Sequence, residues 1–268
     1  MKKIPVVIPY YRAPLGLEKA LASLRLQDGM IGEIFIRDNS EDNILFTRAV
    51  NEGLKHFCYL GGVDYVLVMN QDVILDDGCM KALAETMEKH KNIGILSPIS
   101  FDNNGNNNWA GSMDAWPYGS CITYQPNEIP DNVYETYWVT GACMLLRAEM
   151  VREIGLMDKN MNFICSDSDY SLSARARGYK VCVEPKARFI HEPSGSQSQS
   201  DSDPLNLIKC KDLLYFARKW ICGDIFKELS FEGKNLSPSE VKEVIDIAIS
   251  NINHFNKTYP QENKFNLE

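Results

Sequence analysis

The sequence predicts an α/β fold: a Rossmann-like, mostly parallel sheet with helices on both faces, followed by C-terminal helices. Three observations predict it. Strand-like and helix-like segments alternate between positions 4 and 100, the pattern of successive βαβ units. The strand-like segments are continuous apolar runs, as in strands buried on both faces. And 268 residues, 44% of them apolar, suffice for one large domain or two small ones.

Ile4-Pro5-Val6-Val7-Ile8 is the first strand and ends at Pro9. Leu17, Ala20, Leu21 and Leu24 then recur at helical spacing behind Pro14, which suits a first helical turn because its missing N–H would find no partner there. Ile34-Phe35-Ile36 is the second strand, and Ile44 to Phe57 a helix with Leu45, Ala49 and Leu54 inward. Tyr65-Val66-Leu67-Val68-Met69 is the third strand, Cys79 to His90 a helix, and Ile93-Gly94-Ile95-Leu96 the fourth strand.

Beyond position 100 the pattern changes. Asp102 to Asn108 is a polar tract suited to turns rather than to helix or strand, and Cys121–Tyr124 and Val133–Val139 are short β-like runs. Helices are expected over about Ala148–Ile154 and Ser168–Arg177, the latter ended by Gly178, with a strand at Lys180–Val183. The polar segment 194–203 reads either as a lid or as a solvated loop, ahead of an amphipathic helix from Leu205 to Trp220. Ser237-Pro238-Ser239-Glu240 caps a last helix with Val241, Val244, Ile245, Ala248 and Ile252 on one stripe.

Charge and composition narrow the function. With 28 basic and 36 acidic side chains the formal net charge is −8, which argues against nucleic acid as a partner. No apolar run approaches the ~18 residues of a membrane helix, and the start lacks a signal-peptide core, so a soluble cytoplasmic protein is expected. The eight cysteines form no C-x-x-C pair and read mostly as small buried hydrophobes.

In an open parallel sheet, ligands bind at the carboxyl ends of the strands. Here those ends read Pro9-Tyr10-Tyr11-Arg12, Arg37-Asp38-Asn39-Ser40 and Asn70-Gln71-Asp72. Two carboxylates, Asp38 and Asp72, therefore share one rim with aromatic surface. A lone Asp at such a place is more often an Asx-turn, but together they look like a nucleotide site. Neither G-x-G-x-x-G nor a P-loop occurs in the first half, so a divalent cation, Mn²⁺ or Mg²⁺, is the expected neutraliser of phosphate, with Asp72 as ligand. In Ser166-Asp167-Ser168-Asp169, Asp169 suits a helix cap, while Asp167, one step into the loop, is better placed to face a cleft.

These residues resemble glycosyltransferase family 2, the inverting nucleotide-sugar transferases of GT-A fold, and particularly its bacterial rhamnosyltransferase-like branch. The resemblance runs from Ile4 to about Lys219 and rests on Val-Val-Ile-Pro-Tyr-Tyr, Arg-Asp-Asn-Ser at 37–40 and Tyr-Val-Leu-Val-Met-Asn-Gln-Asp-Val at 65–73. It continues through Trp138 to Arg147, Gly155-Leu156-Met157-Asp158, and Asp167 to Tyr179. It implies a GT-A domain over 1–220, with a nucleotide-binding half of about 1–100 and an acceptor-side half of about 101–220, and a helical extension over 221–268.

By that resemblance Pro9 and Tyr10 flank the nucleotide base, Arg12 lies with them, and Asp38 accepts from the imide edge. Asn70-Gln71-Asp72 stands where the family has Asp-x-Asp, so Asn70 replaces one carboxylate and Asp72 holds the metal. His191 matches a histidine that binds metal beside the diphosphate in some members. Gly141 and Ala142 let the backbone approach sugar or acceptor, and Asp169 and Lys211 are further contacts. Lys211, Arg218 and Lys219 are candidate cations for the leaving diphosphate, with a solvated helix face as the other reading. Asp167 matches the second residue of the family's Glu-Asp pair, the catalytic base, with Ser166 in place of the Glu.

The implied reaction moves a sugar from a UDP- or dTDP-sugar to a hydroxyl of a glycan, lipid-linked or protein acceptor, in bacterial-type surface glycan synthesis, with peripheral contact at the inner face of the membrane. Two rivals stand beside it. A sugar-nucleotide nucleotidyltransferase would carry a Gly-rich basic loop after the first strand, where this chain has Pro9-Tyr10-Tyr11-Arg12-Ala13-Pro14. A catalytically weak binding relative is suggested by Asn70 and Ser166, and opposed by the joint presence of Asp38, Asp72 and Asp167.

Overall fold

The structure, a computed structural model, describes residues 2–112, 121–191 and 203–221, with positions 246, 250 and 257 singly. The expected lid apart from Asp203, the Ser237 cap, and all but those single positions of the last helix and the 222–268 extension lie outside the described residues.

The strands are β1 (Ile4–Tyr10), β2 (Ile31–Asp38), β3 (Tyr65–Met69), β4 (Val73–Leu75), β5 (Ile93–Phe101), β6 (Asn107–Trp109), β7 (Tyr134–Glu135), β8 (Cys143–Arg147) and β9 (Lys180–His191). The helices are α1 (Pro14–Arg25), α2 (Leu45–Leu54), α3 (Cys79–Lys89), α4 (Ala148–Ile154), α5 (Ser166–Ala176) and α6 (Asp203–Phe216). Both α2 and α6 run on into wider π-type turns, Lys55–Leu60 and Ala217–Ile221.

Among the described residues one sheet holds nine strands in the order β2-β1-β3-β8-β5-β9-β4, with β6 on β5 and β7 on β9. β2, β1 and β3 are parallel neighbours, as are β5 and β9. Between these sets lies β8, antiparallel to both β3 and β5, so β1, β2, β3, β5 and β9 all point one way. β8 was not expected from its sequence, and its direction matters. An antiparallel strand begins where its parallel neighbours end, and Met69 at the end of β3 faces Cys143 at the start of β8.

The continuous apolar runs reflect a sheet covered on both faces. Alternate residues of each strand enter opposite cores: Val6, Ile8, Leu67 and Met69 meet α1 and α3, whereas Val7, Val66 and Val68 meet α2, α4 and α5. Gly53 lets α2 lie flat on β1, for a Cβ there would stand 2.5 Å from both γ-carbons of Val7. Helix propensity favours Ala over Gly by about 1 kcal/mol, but overpacking a core costs about 1–3 kcal/mol. Gly53→Ala is therefore expected to lower the denaturation midpoint, and a raised midpoint would contradict the close packing.

Several boundaries differ from expectation. The 102–108 tract turns at Asp102–Asn106, but Asn107–Trp109 pairs with β5, because Asn107 donates its side-chain amide to Ser100 O and Trp109 O. Of the Val133–Val139 run only Tyr134–Glu135 forms ladder bonds, and of Cys121–Tyr124 only Cys121 makes a bridge, to Ser112. The final strand runs on from Val183 to His191, held by β5 on one side and by β4 on the other. Of the seven described cysteines five are buried, Cys121 is exposed and Cys210 half-buried. No helix among the described residues is long and apolar enough to cross a membrane.

Candidate active site

The carboxyl ends of β1 and β2 stand in parallel register, Pro9 opposite Arg37 and Tyr10 opposite Asp38. Asp38 Oδ1 accepts the Ser40 N–H at 2.8 Å, an Asx-turn that reverses the chain. Hydrogen bonding from Ser40 holds the Asp38 carboxyl below the usual carboxylate range, so it is ionised at neutral pH. Arg12 spans to the same turn, its guanidinium donating to Ser40 O at 2.9 and 3.2 Å and lying over the Tyr11 ring. A shallow cleft of about 350 Å³ opens beside Asp38, its walls including Tyr10, Leu17, Leu21 and Ile36. The sequence reading missed Arg37, which grips Asp42 through two bonds of 2.9 and 2.8 Å and Glu52 at 2.9 Å, bracing the loop after Asp38.

Gln71 ties this corner to the next strand end. Buried in the β3–β4 turn, it accepts the Tyr11 N–H at 2.7 Å and donates to Tyr11 O at 3.1 Å. Its position between Asn70 and Asp72 was the only signal, and burial is what gives it a role. Asp72, also buried, precedes Val73, and Val73 pairs with His191. That register brings His191 Nε2 to 3.2 Å from Asp72 Oδ1. One carboxylate oxygen and one imidazole nitrogen suit Mn²⁺, which accepts both ligand types. No cluster of three or more His, Cys, Asp or Glu side chains forms among the described residues. Two protein ligands fit an ion that completes its shell with phosphate oxygens and water.

The antiparallel direction of β8 carries the Thr140-Gly141-Ala142 turn to the same rim. Asn70 N donates to Ala142 O at 2.8 Å, and Gly141 N donates to Asp167 Oδ2 at 2.7 Å. Asp167 Oδ1 accepts the Ser168 N–H at 2.8 Å. Asp167 lies inside the first turn of α5, which begins at Ser166, not in the loop before it. Cys165, at φ 65°, turns the chain sharply into that helix. The Asp167 residue is only partly buried, but its carboxyl group is enclosed. Burial pushes that carboxyl above the usual range, against the pull of the Gly141 and Ser168 amides.

Gly141 has a use within the fold itself. A Cβ there would come within 3.2 Å of Asp167 Oδ2 and of the Phe46 ring, so its bare Cα makes room for the carboxylate. Ser171 and Arg175 extend the same zipper along α5, Ser171 Oγ accepting Val139 N and Arg175 donating to Thr136 O. Asp169 points inward: fully buried, it accepts from Trp220 Nε1 at 2.6 Å and lies 2.8 Å from Lys219 Nζ. Lys219, half-buried, also lies 3.0 Å from Asp158 and so clamps the two carboxylates together. Lys211 on α6 and Arg218 in the turn that follows it are exposed.

An unbroken line of contacts thus runs along one rim, from Asp38 through Ser40, Arg12, Tyr11, Gln71, Asn70, Ala142 and Gly141 to Asp167, with Asp72 and His191 beside it. The family model for glycosyl transferase family group 2 matches residues 65–251, from β3 onward. The chain belongs to that family. This glycosyltransferase is 22% identical over 245 residues to the N-acetylglucosaminyl-diphospho-decaprenol L-rhamnosyltransferase of Mycobacterium tuberculosis, covering 75% of this chain and 80% of that one.

Among solved structures, GalNAc-T7 with UDP, GalNAc and Mn²⁺ superposes with a TM-score of 0.64 at 13% identity. That match covers 98% of this chain, which spans 59% of the GalNAc-T7 chain. The mannosyltransferase PcManGT from Pyrobaculum calidifontis, in complex with GDP-Man and Mn²⁺, superposes at 0.56 with 12% identity, covering 95% of this chain and 75% of that one. At such identities these likenesses establish the GT-A fold of the glycosyltransferase.

Proposed function

We propose that this glycosyltransferase is a metal-dependent inverting enzyme that moves a hexosyl group from a UDP- or dTDP-sugar to a hydroxyl of a glycan, lipid-linked or protein acceptor in surface glycan synthesis. The observation that carries the reading is the contact line joining Asp38, the Asp72–His191 pair and Asp167 along one rim.

Asp38, ionised and at a strand end beside Tyr10, accepts from the imide N–H that uracil and thymine share, with Pro9 and Arg12 around the base and Asn70 toward the ribose. Asp72 and His191 would hold Mn²⁺ or Mg²⁺, and the ion when bound supplies Lewis-acid stabilisation to the departing diphosphate. Asp167 takes the proton of the acceptor hydroxyl as its oxygen bonds to the anomeric carbon, while the bond to the diphosphate oxygen breaks on the opposite face. A base held in place contributes about 10²–10⁴-fold. Ala142 and Lys211 remain candidate contacts to donor or acceptor.

The expected result with UDP- and dTDP-sugars and Mn²⁺ is acceptor-dependent release of nucleoside diphosphate and a product of inverted anomeric configuration by NMR. Retained configuration would remove Asp167 from its role, and release of pyrophosphate would make the chain a nucleotidyltransferase. Activity requires Asp167 ionised, so kcat falls as pH drops through its pKa. Because burial has raised that pKa, the acid limb is expected at higher pH than an exposed aspartate would give.

A further inference from the structure

We infer that Asp212 of α6 is a positioning residue for Asp167, holding the backbone turn from which that carboxylate is presented. The inference rests on the reading of Asp167 as base. Asp212 is fully buried, and its carboxylate collects three successive backbone amides. Oδ1 accepts Asn162 N at 2.9 Å, while Oδ2 accepts Phe163 N at 2.7 Å and Ile164 N at 3.0 Å. Consecutive amides converging on one anion fix the curvature of the backbone that carries them. The next residue is Cys165, whose positive φ starts α5, and Asp167 follows two positions on. The turn is also held from the other side, where Thr47 N at the start of α2 donates to Asn162 O at 3.1 Å.

The end of α6 and the π-type turn after it reach both flanks of this segment. Tyr215 Oη donates to Asp158 at 3.2 Å, and Lys219 and Trp220 reach Asp158 and Asp169. A buried carboxylate bonded to neutral amides is a costly choice for a helix face that leucine could fill, and burial indeed pushes the Asp212 carboxyl above its usual range. What the carboxylate supplies in return is the shape of the turn. The charged and titratable groups around that turn are Asp212 with Lys211 on α6, Asp169 and Asp158 with Lys219 between them, and Cys165.

The test compares Asp212→Asn, which must turn an amide NH₂ toward at least one of the three donors, with Leu214→Ala, a buried truncation on the same helix that leaves the turn alone. Asp212→Glu keeps the charge but moves the oxygens by one methylene, and serves if the Asn variant fails to fold. Displacing a reacting group by about 1 Å costs on the order of 10²-fold in rate. The expected result is a kcat loss of that order in D212N or D212E, with UDP or dTDP binding in Mn²⁺ unchanged within about twofold. The acid limb of kcat is expected to move to lower pH, as water reaches the loosened Asp167. L214A should lose melting temperature while keeping its kcat. Wild-type kcat in D212N and D212E, or an equal kcat loss in L214A, would overturn the inference. D167N assayed in parallel separates the two ideas: an active D167N refutes the base, while an inactive D167N beside normal Asp212 variants refutes only the positioning.

Discussion

Asp167→Asn is expected to cut transfer by about 10²–10⁴-fold, the contribution of a well-placed base, while leaving nucleotide affinity nearly untouched. The variant keeps one oxygen for either the Gly141 or the Ser168 amide, which now meet Asp167 on separate oxygens, and it loses the other bond. That loss costs about 1 kcal/mol. A second effect offsets it. The folded-state pKa of Asp167 is raised by burial, so its favourable contribution to stability is present below the unfolded pKa and is lost as pH rises through the folded one. At neutral pH the buried charge is therefore a burden that asparagine removes. Thermal melts of the two proteins should nearly coincide at pH 7 although their kcat values differ by orders of magnitude. Equal kcat in the variant would take Asp167 out of the chemistry.

Asp72→Ala is expected to abolish the Mn²⁺ dependence of UDP or dTDP binding. Asp72 supplies the one carboxylate of the Asp72–His191 pair, for the neighbour at position 70 is the neutral Asn70. With so few protein ligands, losing the anionic one should weaken metal binding by more than the ~10–100-fold typical of an outer-shell partner. Calorimetric titration with and without Mn²⁺ reads this directly, and the same metal dependence in wild type and variant would refute the pair as a metal site. The nucleotide contacts proposed for Asp38 lie on other strands, so metal-free affinity should change little.

Much of this site can be read without a structure, and the reason is locality. Asp38 and Asp72 each follow a short apolar run, and a parallel strand of an α/β sheet delivers the polar residues at its carboxyl end to the rim whatever its neighbours are. Asp167 is found less directly, through a motif near a helix start, and the helix began two residues earlier than periodicity suggests. Ser166 and Asp167 are polar, so apolar spacing cannot report the first turn, whereas the left-handed Cys165 cap does. The pairing of Asp169 with Lys219 is hidden for a similar reason. Two charges far apart in sequence look solvated until the turn after α6 brings one against the other.

The amino-acid order by itself determined the α/β class, the strands and helices of the first hundred residues apart from the short β4, and the carboxylates at their ends, because periodicity and strand termini are properties of a few consecutive residues. Tertiary structure alone decided that β8 enters antiparallel between β3 and β5, that Gly141 meets Asp167, that His191 lands beside Asp72, and that Asp212 gathers the turn before α5. Each of these depends on strand direction or register between segments tens of residues apart. Such pairings are set by hydrogen bonds and packing that no local window of sequence contains.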